Sequence, residues 1–230
     1  MSRATMAAAS VTVPRASLYG IGSCRVGTEF RDFEIGWDEV DRDIEWMTAL
    51  LREAGLKKGD LAQITLPNWE GPWFTPLIAG LKRIGVVVAL AEQFSWDARR
   101  VAHFVGSLRP RAYFGLCAET LQGLRGLEID TAELLSDVEI IWARHDALAE
   151  TPNLGFSAQP LVPLGPALAV GVPGVGAVVN TGEWEIRTAE GEFVVSTASD
   201  RAMRFTDVGT GIKGTVGKQT ELGTTVEFEF

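Results

Sequence analysis

Between residues 38 and 116 the sequence switches repeatedly between helical and strand-like hydrophobic spacing, and that rhythm limits the chain to a parallel α/β sheet. Residues 38–54 set Val40, Ile44, Met47, Leu50, Leu51 and Ala54 at three- and four-residue spacing, with Asp38, Asp41, Arg42 and Glu45 off the stripe. This predicts an amphipathic helix. Gly55 stops it, and its acidic start complements the helix dipole. Gly59-Asp60 then turns the chain into an apolar strand at 61–66, and a mostly apolar helix at 72–84 is closed by Gly85. Residues 86–90 are continuously apolar, the pattern of a strand buried on both faces of a parallel sheet. Ser95 is placed to cap a third helix, with Asp97 in its first turn and Val101, Phe104, Val105 and Leu108 as its buried stripe. A strand at 112–116, a short helix at 118–127 and a strand at 138–142 come next. Helices and strands alternating across short connections predict an α/β fold with a doubly wound, mainly parallel sheet.

The pattern changes near residue 150. Glycine and proline crowd 152–176, and strand-like pieces lie at 177–180, 184–188, 192–197 and 224–230, with turns at Gly182 and Gly191. The expected organisation is a flexible lead-in at 1–18, an α/β core at 19–150 and a β-rich, antiparallel part at 151–230, packed on the core or continuing from it. The lead-in is rich in Ala and Ser but lacks the apolar centre of a signal peptide.

Charge and cysteine use narrow the function classes. The 230 residues carry a formal net charge of −9 with scattered basic residues, which argues against nucleic acid as a partner. No apolar run approaches the roughly 18–20 residues of a membrane span. The two cysteines, Cys24 and Cys117, have no metal-ligand spacing and suit a reducing cytoplasm, the expected location.

Several segments stand in a recognisable order. They begin with Leu50-Leu51-Arg52-Glu53-Ala54-Gly55-Leu56-Lys57-Lys58-Gly59-Asp60, a helix ending in Gly and then a basic-Gly-Asp turn. Leu81-Lys82-Arg83-Ile84-Gly85-Val86-Val87-Val88 is a helix-Gly-strand step. Leu164 to Ala169, Gly191 to Thr197 and Arg204 to Gly211 come later. Over roughly residues 20–217 this series resembles the adenylate-forming superfamily, most of all its phenylacetate–CoA-ligase branch. The resemblance implies an adenylate-forming core in which the family's N-terminal segment and C-terminal lid domain are expected to be missing.

The same resemblance locates the family's ATP contacts. It places the phosphate loop at residues 20–28, where Gly22, Ser23, Gly27 and Thr28 remain but Cys24, Arg25 and Val26 replace the middle, with Arg25 still able to meet a phosphate. A flexible Gly/Ser/Thr loop is what holds phosphates while charge develops. The metal-binding glutamate falls at Ala158 or Gln159, poor Mg²⁺ ligands. The ribose-binding aspartate falls at Ile212, beside the surviving Thr210 and Gly211. The expectation is therefore that ATP and Mg²⁺ are not used, that no metal is bound, and that a CoA or carrier-protein thioester is the one activated group to consider.

The acyl pocket is the feature expected to persist. The resemblance puts its aromatic lining at Pro67 to Phe74, where Trp69, Trp73 and Phe74 surround a Gly-Pro turn, and adds Phe156 and Ser157. Ordinary core packing or a dimer surface is the alternative for these aromatics. For chemistry the candidates are His145 and Asp146, at the carboxyl end of a predicted strand where α/β sheets bind ligands, and Cys24, if Arg25 lowers its pKa. A solvated loop is the plain reading of His145, while His103 and Cys117 read as structural. Three functions remain open: an acyl- or aryl-binding protein without ATP activation; an ATP-independent enzyme acting on a CoA- or carrier-bound substrate (cyclase, hydrolase or acyl transfer); and a structural partner, as a homodimer or beside an active ligase or synthase.

Overall fold

A computed structural model describes residues 17–26, 29–67 and 70–230, the side chains of residues 71–73 excepted. The chain opens with an antiparallel hairpin, β1 (Gly20–Val26) and β2 (Glu29–Ile35), and then alternates through α1 (Trp37–Glu53), β3 (Leu61–Thr65), α2 (Gly71–Ile84) and β4 (Val87–Ala91). A short 3₁₀ turn (Ser95–Asp97) leads into α3 (Ala98–Leu108). Next come β5 (Ala112–Leu116), α4 (Ala118–Gly126), α5 (Thr131–Leu135), β6 (Ile140–Ala143) and the single turn α6 (His145–Leu148). The remainder is strand: β7 (Gln159–Leu164), β8 (Ala167–Val172), β9 (Gly176–Val179), β10 (Trp184–Ala189), β11 (Glu192–Thr197), β12 (Val208–Thr220) and β13 (Gly223–Phe228).

Among the described residues, one 11-stranded sheet carries all strands except the hairpin, in the order β10-β11-β12-β13-β9-β8-β7-β6-β5-β3-β4. From β4 through β7 neighbours are parallel; from β7 outward they are antiparallel. The β-rich part thus continues the sheet of the α/β part. Successive strand residues face opposite sides, so Ile64, Phe114, Trp142 and Leu161 pack under α1 and α2. Tyr113, Ile141 and Val162 face the other side, where Val101 and Val105 of α3 and Leu121 of α4 cover them. Strand β3 sits between β4 and β5, and chain order reverses across β3 and β5.

Several expectations are corrected. The stretch expected as a phosphate loop is strand β1 as far as Val26, and Gly27 and Thr28 lie outside the described residues. Gly22 serves packing: it pairs with Phe33, and a Cβ there would meet the Phe33 ring at 2.5 Å. The apolar run expected to be buried on both faces is the edge strand β4, with Val87 56% and Leu90 54% exposed. Ser95 makes no side-chain cap; the Asp97 carboxylate instead accepts from the Glu92 N–H at 2.8 Å. Strands β7, β8 and β12 are additions, the first hidden by Pro160 and Pro163 and the last by its glycines.

An ion cluster ties α1 to the far antiparallel strands. The Arg201 guanidinium, 7% exposed, meets Asp43 at 2.8 Å, Glu183 at 2.6 Å and Glu39 at 3.3 Å, and lies 4.6 Å over the Trp184 ring. Arg42 adds a second contact to Glu183 at 2.5 Å. Burial works against ionisation of Glu183, but hydrogen bonds from Arg42 and Ser199 and the charges of Arg201 and Arg42 hold its carboxyl below the usual range. Burial pushes the Asp43 carboxyl up, against its bond from Arg201.

Removing one member of such a buried group strands the others without compensation, at a cost of about 3–5 kcal/mol. Arg201→Ala is expected to lose stability on that order in urea unfolding. The stabilisation from Glu183 is complete above its ordinary pKa of 4.5 and is lost as the pH falls through its lower folded-state value. Glu183→Gln is expected to flatten that acid limb; Asp43, shifted the other way, does not contribute to it.

Candidate functional site

The carboxyl ends of the parallel strands open into a cleft of about 580 Å³. Chain leaving each strand contributes one part of its floor: Glu70 after β3, Gln93 after β4, Cys117 after β5, and Arg144, His145 and Asp146 after β6. The facing wall comes from Ser23, Arg25 and Phe30 of the hairpin and from Thr210, Gly211 and Ile212 of β12. This is where open α/β sheets place ligands, beside a reversal of strand order. Gly115 shapes the floor: with φ +91° it kinks the end of β5, and a Cβ there would lie 2.1 Å from the Thr65 carbonyl oxygen.

Arg144 is anchored in the cleft on two sides. Its guanidinium donates to both Glu70 oxygens, at 2.8 and 2.7 Å, and sits 5.2 Å above the Phe74 ring. Phe74 is 1% exposed, so it supports Arg144 from below and does not face the cleft, contrary to expectation. Trp69 and the Trp73 side chain lie outside the described residues.

His145 starts α6 with its ring stacked on Phe230 (5.2 Å between centroids, 25° between planes) and edge-on to Phe228 at 5.8 Å. Its Nε2 is buried without a hydrogen-bond partner. Burial pushes the imidazole pKa below its ordinary 6.5, with the Asp146 charge working in the opposite direction. The ring is therefore neutral at neutral pH. Behind it a second, mainly apolar groove of about 650 Å³ is lined by Leu148, Phe156, Ser157, Val226, Phe228 and Phe230. One turn of helix thus contributes to both cavities: His145 and Asp146 to the polar cleft, Leu148 to the apolar groove.

The structure brings Ser23, Cys24, Arg25, His145, Asp146 and Thr210 to one cleft and sets Phe156 and Ser157 in the adjoining groove. Cys24 gains no nucleophilic character there. Its side chain points into the core, 2% exposed, and burial pushes the thiol up to about 11, outweighing the nearby Arg31 charge. The Cys117 thiol is also raised by burial and donates to the Gln93 carbonyl at 3.4 Å. At Gly211 the backbone N–H already donates to the Glu192 carboxylate, and Ile212 is next in the strand. An internal anion on that amide, next to an apolar side chain, is a poor fit for a nucleotide phosphate or ribose at this wall. Among the described residues no group of three or more His, Cys, Asp or Glu side chains is placed to hold a metal, and no helix is long and apolar enough to cross a membrane.

Sequence reasoning missed Glu70, Gln93 and the cleft position of Cys117. The available signal for Glu70 was a lone carboxylate inside the aromatic segment Trp69–Phe74, and for Arg144 its place directly after a strand.

A parallel sheet flanked by helices on both faces, extended by antiparallel strands and open at its carboxyl edge, defines an α/β architecture with a mixed sheet. The particular fold is that of adenylate-forming CoA ligases. An open conformation of 2-hydroxyisobutyryl-CoA ligase, in complex with 2-HIB-AMP and CoA, is similar with a TM-score of 0.67 over 94% of this chain and 56% of that one, at 12% identity. ATP-bound MatB from Rhodopseudomonas palustris is similar with a TM-score of 0.61 over 98% of this chain and 52% of that one, at 16% identity. The chain therefore spans about half the length of these ligases, and at such identities the likeness is one of fold. No protein-family model and no curated protein matches the sequence.

Two outcomes are expected from this geometry. Neither thiol should react with a disulfide reagent at pH 8 until denaturant is added; rapid labelling of the native protein would contradict their burial. The His145 imidazole should titrate below pH 6.5 by NMR, and the native state should lose stability as the pH falls below that value, because the folded chain resists charging the ring.

Proposed function

We propose that the chain binds an acyl or aryl group, as a free acid or as a thioester on CoA or a carrier protein, without activating it with ATP. The observation that carries this reading is at α6, where His145 lines the polar cleft and stacks on Phe230 of the apolar groove. An amphiphilic ligand fits there, with its apolar body against Phe156 and Phe228 and its polar end beside Arg144, His145 and Asp146. The Glu192 carboxylate on the Gly211 amide, and Ile212 beside it, support the absence of ATP activation. The phenylacetate-ligase likeness favours an aryl acid within this class.

A second reading has its own support. The buried, unpartnered Nε2 of a neutral His145 suits a general base, with Asp146 beside it, in ATP-independent chemistry on a thioester. The open edge of β4, with Val87, Leu90 and the 68%-exposed Trp96, favours a partner or homodimer role in addition to binding.

Thermal unfolding with single additives tests these readings. A ligand bound only by the native state stabilises by RT ln(1 + [L]/Kd), about 2.7 kcal/mol at a hundred times Kd. Phenylacetate or phenylacetyl-CoA is expected to raise the Tm, and Mg-ATP to leave it unchanged. A clear rise with Mg-ATP would overturn the proposal. Thioester turnover that disappears in His145→Ala would select the enzymatic reading.

A further inference from the structure

The acid-recognising element of the cleft is already filled by a side chain of the same protein. We infer that Arg144 is the binding site for a ligand carboxylate and that Glu70 is its internal plug, exchanged for the ligand on binding. This deepens the acyl-binding reading and rests on it: among the ligands considered there, it selects the free acid over the thioester.

Three observations carry the inference. First, the Arg144–Glu70 contact is bidentate, with each carboxylate oxygen on its own guanidinium nitrogen at 2.8 and 2.7 Å. That paired geometry is what makes arginine a selective receptor for planar carboxylates, so Glu70 makes the contacts that a ligand acid would make. Second, both side chains line the cleft, and both are screened from bulk water, at 15% and 11% exposure. A structural salt bridge has no need to stand in a ligand cleft, whereas a receptor for an anion does. Third, Arg144 is supported from several sides: it stands at the head of α6, its backbone N–H donates to the Leu116 carbonyl at 2.8 Å, and the Phe74 ring lies beneath it. Glu70 caps the N-terminal end of α2, with its own backbone N–H on the Pro67 carbonyl at 3.1 Å. The exchange is therefore a swing of the Glu70 side chain away from a guanidinium that stays in place.

Charge balance sets what the exchange must do. The charged side chains lining the cleft are Arg25, Arg144, Glu70 and Asp146, two of each sign. A ligand carboxylate that displaces Glu70 keeps the buried guanidinium neutralised, which an uncharged ester does not, and the added negative charge requires the released Glu70 to turn out to water, because an unpaired buried charge is strongly disfavoured. The plug also acts as a filter: a ligand must compete with an intramolecular carboxylate present at high effective concentration, which lowers apparent affinity in proportion to the plugged fraction.

The test compares sodium phenylacetate with its uncharged analogue phenylacetamide, by calorimetric titration, on the intact protein. Glu70→Gln keeps the shape of the plug and removes its charge. It is expected to bind phenylacetate at least tenfold more tightly than the unaltered protein and to leave phenylacetamide affinity within about twofold. The double variant Glu70→Gln/Arg144→Gln, which retains a neutral hydrogen-bonding pair, is expected to lose the preference for the acid. Should Glu70→Gln fail to fold, Glu70→Asp, with its shorter arm, is expected to give a smaller gain in the same direction. Unchanged or weaker acid binding in the single variants, with phenylacetate still bound by the unaltered protein, overturns the plug and leaves the acyl-binding reading standing. Binding of neither compound by any variant, together with no stabilisation by phenylacetyl-CoA, overturns both.

Discussion

The parallel and antiparallel halves of the sheet meet at the β6–β7 step, and that joint contains only two residue pairs, Trp142 with Gln159 and Ala143 with Pro160. Proline supplies no backbone donor, so the ladder there is too thin to fix the two halves by itself. Two other interactions complete the joint. One is the continuous apolar packing on both faces, where Trp142 lies against Phe114 on one side and Val162 and Ala143 share a core with Phe193 and Val195 on the other. The other is the Arg201 cluster, which grips α1 with Glu39 and Asp43 and the distal strands with Glu183 and Trp184. Because its charges are largely withdrawn from water, it tolerates little displacement, and it sets where the far end of the sheet lies over the helices.

That placement makes the cleft. Its floor belongs to the parallel strands and its facing wall to the hairpin and β12, so the two sides are built from distant parts of the chain. The hairpin is seated by Phe33, which packs into the space left by Gly22 and edge-on against Phe205 at 5.7 Å. Within the cleft, burial decides the chemistry. It keeps both thiols protonated and the imidazole neutral. The Glu70 carboxylate is already engaged with Arg144, and the Gly211 amide of the wall is taken by the Glu192 carboxylate.

Parts of this were legible in the sequence and parts were not, for specific reasons. The stripe of α1 and the Gly55 and Gly85 stops made the first helices readable to within a residue or two. The hairpin was not, because glycine, serine and cysteine in succession look like a loop, and only Phe33 reveals why Gly22 is there. Strand β7 was concealed by two prolines, and the edge position of β4 by an apolar run like that of a central strand. In the site, His145, Asp146, Arg25 and Thr210 were separate candidates that the fold gathers into one cleft, while Phe74 proved to be a support under Arg144. The Glu70–Arg144 pair spans 74 residues, and no local pattern announces such a contact.

By itself the sequence determined the α/β class, the order of the helices (α5 excepted) and parallel strands through residue 143, and the strand-rich character of the C-terminal part. These depend on periodicity and on glycine stops, which act within a few residues of each other. Tertiary structure alone decided which strand lies at the edge, that both halves share one sheet, and which charges pair inside the cleft. Those outcomes depend on burial and on contacts between distant segments, and a residue's exposure or partner exists only once the whole chain has packed.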